Sequence, residues 1–157
     1  MSIGIFYGST TGTTEGVAKE IGTLLNGDVF SASEILKGQN YDTLILATST
    51  WGMGDLQDDW EGALEDLKSL NLTGKKVAFI GIGDQSSFGD TFVDGIGILY
   101  EAIENQNFIL VGQTPTDSYD YSDSRGIKNG EFLGLVIDDN NQSELTKERI
   151  KNWIKTL

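Results

Sequence analysis

Five apolar runs, each short enough to be a strand, alternate with segments whose apolar residues recur at helical spacing, and this alternation restricts the fold more than any other property of the chain. The runs are residues 3–7, 29–32, 43–48, 77–82 and 108–112. Between and after them, Val17, Ile21, Leu24 and Leu25 share a helical face that should end near Asn26 and Gly27, Trp60, Leu64 and Leu67 share another, Phe92, Ile96, Leu99 and Ile103 a third, and Ile150, Trp153, Ile154 and Leu157 a last. Near-continuous apolar strands joined by amphipathic helices specify a parallel sheet with helices on both faces. The expectation is an α/β fold.

One stretch breaks the rhythm. TPTDSYDYSDSRGIKNGEF, residues 114–132, is polar and carries two tyrosines. It is far longer than the ~4–6 residues usual for a connection inside a compact domain. A further apolar run, residues 132–137, follows it. The economical reading is an insertion that interrupts the fifth strand and leaves its two parts on one sheet edge. With 157 residues, one proline and no internal repeat, the chain reads as one domain spanning residues 1–157.

Composition removes many functions. Against 11 Lys and Arg stand 24 Asp and Glu, a formal net charge of -13, which disfavours nucleic acid and anionic membrane as partners and favours a basic protein. The chain has no cysteine and no histidine. Thiolate chemistry, disulfides and the commonest acid-base catalyst and metal ligand are therefore excluded. The N-terminal MSIGIFYG has neither a basic region nor a long apolar core, and no apolar run approaches the roughly 20 residues of a membrane helix. The chain is expected in the cytoplasm, without a membrane partner.

In an open α/β sheet, ligands bind beyond the carboxyl ends of the strands. Three loops at those ends stand out. The first, GSTTGTT at residues 8–14, passes from strand to helix and aims free backbone N–H groups and the positive helix end at a ligand. It lacks the lysine of a nucleotide-hydrolysing P-loop, and neither it nor GIGDQS satisfies the dinucleotide pattern G-x-G-x-x-G. Hydroxyls and amides without cations suit a single terminal phosphate. Taken alone, the run would equally suit a helix start rich in capping residues. The second loop, STWGMGDLQDDW at residues 49–60, sets a tryptophan after a strand, where it serves as a stacking surface for a flat ring. The third, GDQSSFGDTF at residues 83–92, offers Phe88 among small polar residues.

With these three loops the sequence resembles the flavodoxins of the long-chain type, over essentially its whole length. STTGTT is similar to the family's phosphate loop, STWGMGDLQDDWEG and GIGDQSSFGDTFVDGIGILYE to its two ring loops, and DSYDYSDSRGIKNGEFLGLVIDDNNQSELTKERIKNW to its insertion and last helix. The resemblance implies a flavodoxin-like doubly wound sheet of five parallel strands in order 2-1-3-4-5, with an insertion in strand 5. It also implies one non-covalent FMN and service as a low-potential electron carrier, not an enzyme. Matched by position, Ser9, Thr10, Thr11, Gly12, Thr13 and Thr14 would hold the phosphate. Thr50, Trp51, Gly52, Met53 and Gly54 would follow the inner ring face, and Gly83, Asp84, Phe88 and Asp90 the outer side and pyrimidine edge. In the family the peptide matching Gly52-Met53 turns over when the flavin takes its first electron. Family members of this type usually carry a tyrosine where this chain has Phe88, so stacking is kept and a hydroxyl lost; Tyr119 and Tyr121 stand in the insertion.

The same resemblance implies a monomer serving basic redox proteins, such as a flavodoxin reductase, and low-potential electron acceptors. An uncompensated phosphate, Asp84, Asp90 and the net charge all oppose adding negative charge to the flavin, which lowers its potential. Asp55, Asp58, Asp59, Glu61, Asp90 and Asp94 flank the ring loops as an acidic docking field. Two other readings of the fold are weaker. An FMN-dependent NAD(P)H quinone or flavin reductase would have to bring a dinucleotide's phosphates to an acidic surface. A phospho-receiver would need acidic residues where the strand ends read FYGS and ATSTWG.

Overall fold

The computed structural model describes residues 2–51 and 53–157. The chain order is β1 (Ile3–Gly8), α1 (Thr13–Leu25), β2 (Asp28–Ser31), β3 (Thr43–Trp51), β4 (Asp55–Leu56), α2 (Asp58–Ser69), β5 (Lys76–Ile82), α3 (Asp94–Ile103), β6 (Ile109–Leu110), β7 (Ile127–Lys128), β8 (Glu131–Phe132), β9 (Gly134–Ile137), α4 (Asp139–Gln142) and α5 (Thr146–Trp153). The main sheet runs β2-β1-β3-β5-β6, with β9 also beside β5. All of these pairs are parallel. Since β4 is only a two-residue return strand against β3, this is the expected 2-1-3-4-5 order with β5 as the fourth long strand.

Alternate residues of each strand feed two cores, one on each face. Ile3, Ile5, Ile45, Ala47, Ala78 and Ile80 pack with Val17, Ala18 and Ile21 of α1 and with Ile150 and Trp153 of α5. Phe6, Leu44, Leu46, Val77 and Phe79 face Trp60 and Leu67 of α2 and Ile96 and Leu99 of α3. That is the period of two expected of strands covered on both faces. Helix α1 ends at Asn26, whose N–H still reaches the Gly22 carbonyl and whose left-handed backbone (φ 54°) turns the Gly27 N–H onto the same carbonyl at 2.9 Å.

The fifth place in the sheet is divided, as expected of an insertion. β6 pairs with Lys76 and Val77, and β9 with Phe79 to Ile82. The parts are shorter than the apolar runs predict. Gly112 turns out of the strand at φ 80°, and Phe132 pairs antiparallel with Ile127 and Thr114 inside the insertion, so the return to the sheet begins at Gly134. Two further boundaries move. Ala32 opens a 3-10 segment, Ala32–Asn40, that polar residues conceal in the sequence, and Phe92 precedes α3, because Val93 takes a left-handed backbone (φ 47°) before the helix starts.

The insertion folds back onto the sheet. Tyr119 stacks edge-on against Phe132 at 5.1 Å, and its hydroxyl donates to the Val136 carbonyl at 2.6 Å. Tyr121 stacks on Phe92 at 5.6 Å. Burial pushes the Tyr119 hydroxyl up to about 12, with Arg149, lying over its ring, opposing the shift. Both tyrosines thus serve the insertion's packing.

Gly134 is where the chain re-enters the sheet, and a Cβ there would run into the Phe79 carbonyl oxygen. Gly134→Ala should push β9 away from β5 and lower stability by about 1–3 kcal/mol. Chemical denaturation measures this, and an unchanged midpoint would refute the close approach.

Candidate functional site

The site begins where β1 stops. After Gly8 the chain runs without regular structure to Gly12, which precedes α1 with φ 94° and contributes no side-chain cap. A residue with a Cβ would be strained in that backbone, and the absence of a capping side chain leaves the first amides of α1 open to an external acceptor. Other groups hold the loop in shape. Ser9 Oγ accepts from Gly12 N at 3.0 Å, Gln57 Nε2 donates to Thr10 Oγ1 at 3.1 Å, and Ser9 N donates to the Asp59 carboxylate at 3.4 Å. The Ser9 and Thr10 oxygens are thereby engaged in bracing.

Beyond this loop, β3 continues through Trp51 and returns as β4. The Trp51 indole N–H donates to Ser49 Oγ at 2.8 Å, which fixes the ring's direction, and Thr50 Oγ1 accepts from Gly95 N at 2.8 Å, which ties the strand end to the start of α3. Trp51 is 39% exposed and Phe88, on the loop after β5, is 44% exposed. Between them lies a cleft of about 260 Å³, lined by Thr11, Thr13, Thr14, Ser49, Thr50, Trp51, Ile82, Gly83, Asp84, Phe88, Asp139 and Asn140. It joins the helix N-terminus to both aromatic rings. Among the described residues its lining holds no cation. Its volume is just under the ~300 Å³ common for small-molecule pockets.

Eight of the residues singled out by sequence therefore meet in one cleft: Thr11, Thr13, Thr14, Thr50, Trp51, Gly83, Asp84 and Phe88. Ser9, Thr10 and Gly12 belong to the same loop but are not in the lining. Met53, 91% exposed, and Asp90 lie instead on a larger groove of about 810 Å³ on the other side of Phe88, and Gly54 sits against Thr91 and Asp94. The larger groove has neither Trp51 nor the α1 N-terminus in its lining, so the smaller cleft is the candidate site. Gly52 lies outside the described residues. Asp94 does not belong to the acidic surface. It is buried, and its carboxylate accepts from Arg125 N at 2.7 Å.

Sequence reasoning missed Ser49, Ile82, Asp139 and Asn140. Asp139 and Asn140 follow β9, and the rule that ligands lie beyond strand ends covers that place too; the insertion obscured which run was the strand.

Asp84 is engaged by the chain itself. Its Oδ1 accepts from Ser86 N (3.1 Å), Ser87 N (3.0 Å) and Asn141 Nδ2 (2.8 Å), and its Oδ2 from Asn140 Nδ2 (3.1 Å). Burial pushes the carboxyl up, but the donors from Ser87, Asn141 and Ser86 outweigh it and hold it below the usual aspartate value.

Comparison with known proteins bears directly on this arrangement. The flavodoxin family model matches residues 5–153, and a flavodoxin from a Nostoc species is 44% identical over 160 residues, covering 99% of this chain and 94% of that protein. The chain belongs to the flavodoxin family. A flavodoxin from Haemophilus influenzae is 38% identical, covering 99% of this chain and 92% of its own. Among solved structures, Fusobacterium nucleatum flavodoxin bound to flavin mononucleotide superposes with a TM-score of 0.93 at 37% identity, covering 98% of this chain and 95% of that one. As a flavodoxin, the chain is an electron-transfer protein with the family's doubly wound sheet.

The Asp84 hydrogen bonds have a pH signature. A carboxyl depressed in the folded state contributes stability that is complete above the unfolded value of ~3.9 and is lost as pH falls through the lower folded value. Asp84→Asn should be less stable than the parent at about pH 6 and approach it at about pH 2. Unfolding midpoints across that range test this, and a gap independent of pH would contradict it.

Proposed function

We propose that this chain carries single electrons between redox proteins on one non-covalent FMN seated in the cleft between Trp51 and Phe88, with all of residues 1–157 serving as one FMN-binding unit. The observation that carries the reading is the pairing, in one cleft, of an uncapped helix N-terminus lined by hydroxyls with two half-exposed aromatic rings. Such a lining fits a ligand with a phosphate at one end and a flat heterocycle at the other.

FMN supplies the one-electron chemistry when it is bound. The chain's residues hold it and set its potential. Thr11, Thr13 and Thr14 with the first amides of α1 receive the phosphate, while Ser9, Thr10 and Gly12 keep the loop open around it. Trp51, directed by Ser49, covers one ring face, and Phe88 covers the other by stacking without a hydroxyl. Gly83 and Asp84 border the pyrimidine edge. Among the described residues the lining holds no cation, and with a net charge of -13 the field opposes further negative charge on the ring. Electrons are thereby released at low potential.

The partners on this reading are basic redox proteins, among them a flavodoxin reductase, and low-potential acceptors, which the chain meets as a monomer in the cytoplasm. Asp55, Asp58, Asp59, Glu61 and Asp90 are exposed around the ring loops and supply the steering field. Among the described residues no helix is long and apolar enough to cross a membrane.

Two measurements test the proposal. A hydrogen bond to a charged group contributes roughly 1.5–3 kcal/mol. Thr11→Val should therefore weaken FMN by about tenfold or more and leave riboflavin, which has no phosphate, nearly unchanged. Equal losses for both would remove the phosphate assignment. The rate of electron transfer with a basic flavoprotein reductase should fall as salt rises, since the Debye length is only ~8 Å at physiological ionic strength. A rate indifferent to salt would remove steering by the acidic surface.

A further inference from the structure

The most heavily hydrogen-bonded buried carboxylate in the fold lies outside both the phosphate and the ring contacts. Asp138, fully buried at the end of β9, accepts through Oδ2 from Gln85 N (2.9 Å) and Gln85 Nε2 (2.8 Å), and through Oδ1 from Asn141 N (3.1 Å). Asn141 Nδ2 reaches both oxygens, at 2.9 and 3.1 Å. Gln85, itself buried, turns its Oε1 the other way and accepts from Asp120 N in the insertion. Asn141 passes the connection to the outer loop, donating to Asp84 Oδ1 and accepting at Oδ1 from the Ser86 hydroxyl at 2.8 Å. Asp138 thus caps the start of α4, takes the Phe88 loop directly through Gln85 and, one hydrogen bond further, the insertion through Asp120 N.

Burying a carboxylate is costly, and among the described residues no cation forms an ion pair with Asp138. An apolar residue would fill the space without that cost. What only an acceptor-only group supplies is a common target for donors from separate segments. The insertion is held to the same loop by backbone bonds from Ser122 N and Asp123 N to the Gly89 carbonyl, so Gln85 sits within a continuous seam rather than at an isolated contact.

We propose that Asp138, acting through Gln85 and Asn141, is a positioning residue that holds the Phe88 loop, the outer wall of the cleft, rigid against the insertion on its far side. The inference rests on the flavin reading for what the wall faces. Asp138 itself is not in the cleft lining, so its effect reaches the ring seat through the loop and leaves the phosphate seat alone.

The test uses the full chain, without ligand and then titrated with FMN and with riboflavin. Asp138→Asn keeps the volume and replaces one acceptor with a donor. In the ligand-free chain, amide hydrogen exchange should quicken by about tenfold or more at residues 85–89 and 119–123, while β1 and β3 stay protected. FMN and riboflavin should then weaken by the same factor, the reverse of the selectivity expected at Thr11. Gln85→Leu, which leaves the Asp138 bonds to Asn141 in place, should quicken exchange at 119–123 and serves if the first variant does not fold. Unchanged exchange, acceleration spread evenly over the sheet, or a loss confined to FMN would each overturn the proposal. If the parent chain bound no flavin, the functional reading would fail while the exchange map still reported on the clamp.

Discussion

Burial of β1, β3 and β5 on both faces is the constraint from which the rest of the molecule follows. Their side chains alternate into two apolar cores, so the strands offer no polar surface along their length, and chemistry is displaced to their ends. Because the strands are parallel, their carboxyl ends emerge together, and the segments after β1, β3, β5 and β9 are brought to one rim. The helix that must follow β1 to cover the sheet presents its N-terminus at that rim. An anion seat there is a by-product of connecting parallel strands.

The rim is polar without being cationic, and that balance separates holding a cofactor from tuning it. Hydroxyls and amides bind a phosphate by direction, leaving its charge in place, whereas a lysine or arginine would neutralise it. The carboxylates nearby are satisfied by neutral donors too: Asp84 by Ser86, Ser87 and the asparagines of α4, and Asp138 by Gln85 and Asn141. Hydrogen bonds thus stabilise the negative groups around the cleft without cancelling them. An acidic chain built this way opposes added electrons at the ring.

The strands were legible as near-continuous apolar runs and the helices from the 3.6 period of their apolar residues, and Trp51 and the GSTTGTT loop were legible because they stand at strand ends. Less could be read where tertiary contacts override local pattern. Ala32 to Asn40 is polar enough to pass for a loop, yet forms a 3-10 segment that buries Ala32 and Ile35. Phe132 continues an apolar run into Gly134–Ile137, but pairs within the insertion. Asp94 resembles its exposed acidic neighbours in sequence but is buried, its carboxylate accepting from the backbone N–H of Arg125 in the insertion. Asp138 looks like one more residue of an acidic stretch, DDNN, and only its partners 53 residues away at Gln85 distinguish it.

The central claim is that the lining around Trp51 and Phe88 makes a bound flavin a low-potential carrier of single electrons. A potentiometric titration of the FMN-loaded chain, followed by visible absorbance, tests it most directly. The account predicts two separate one-electron steps, with the second well below the potential of free FMN. A single two-electron step at the potential of free FMN would contradict it.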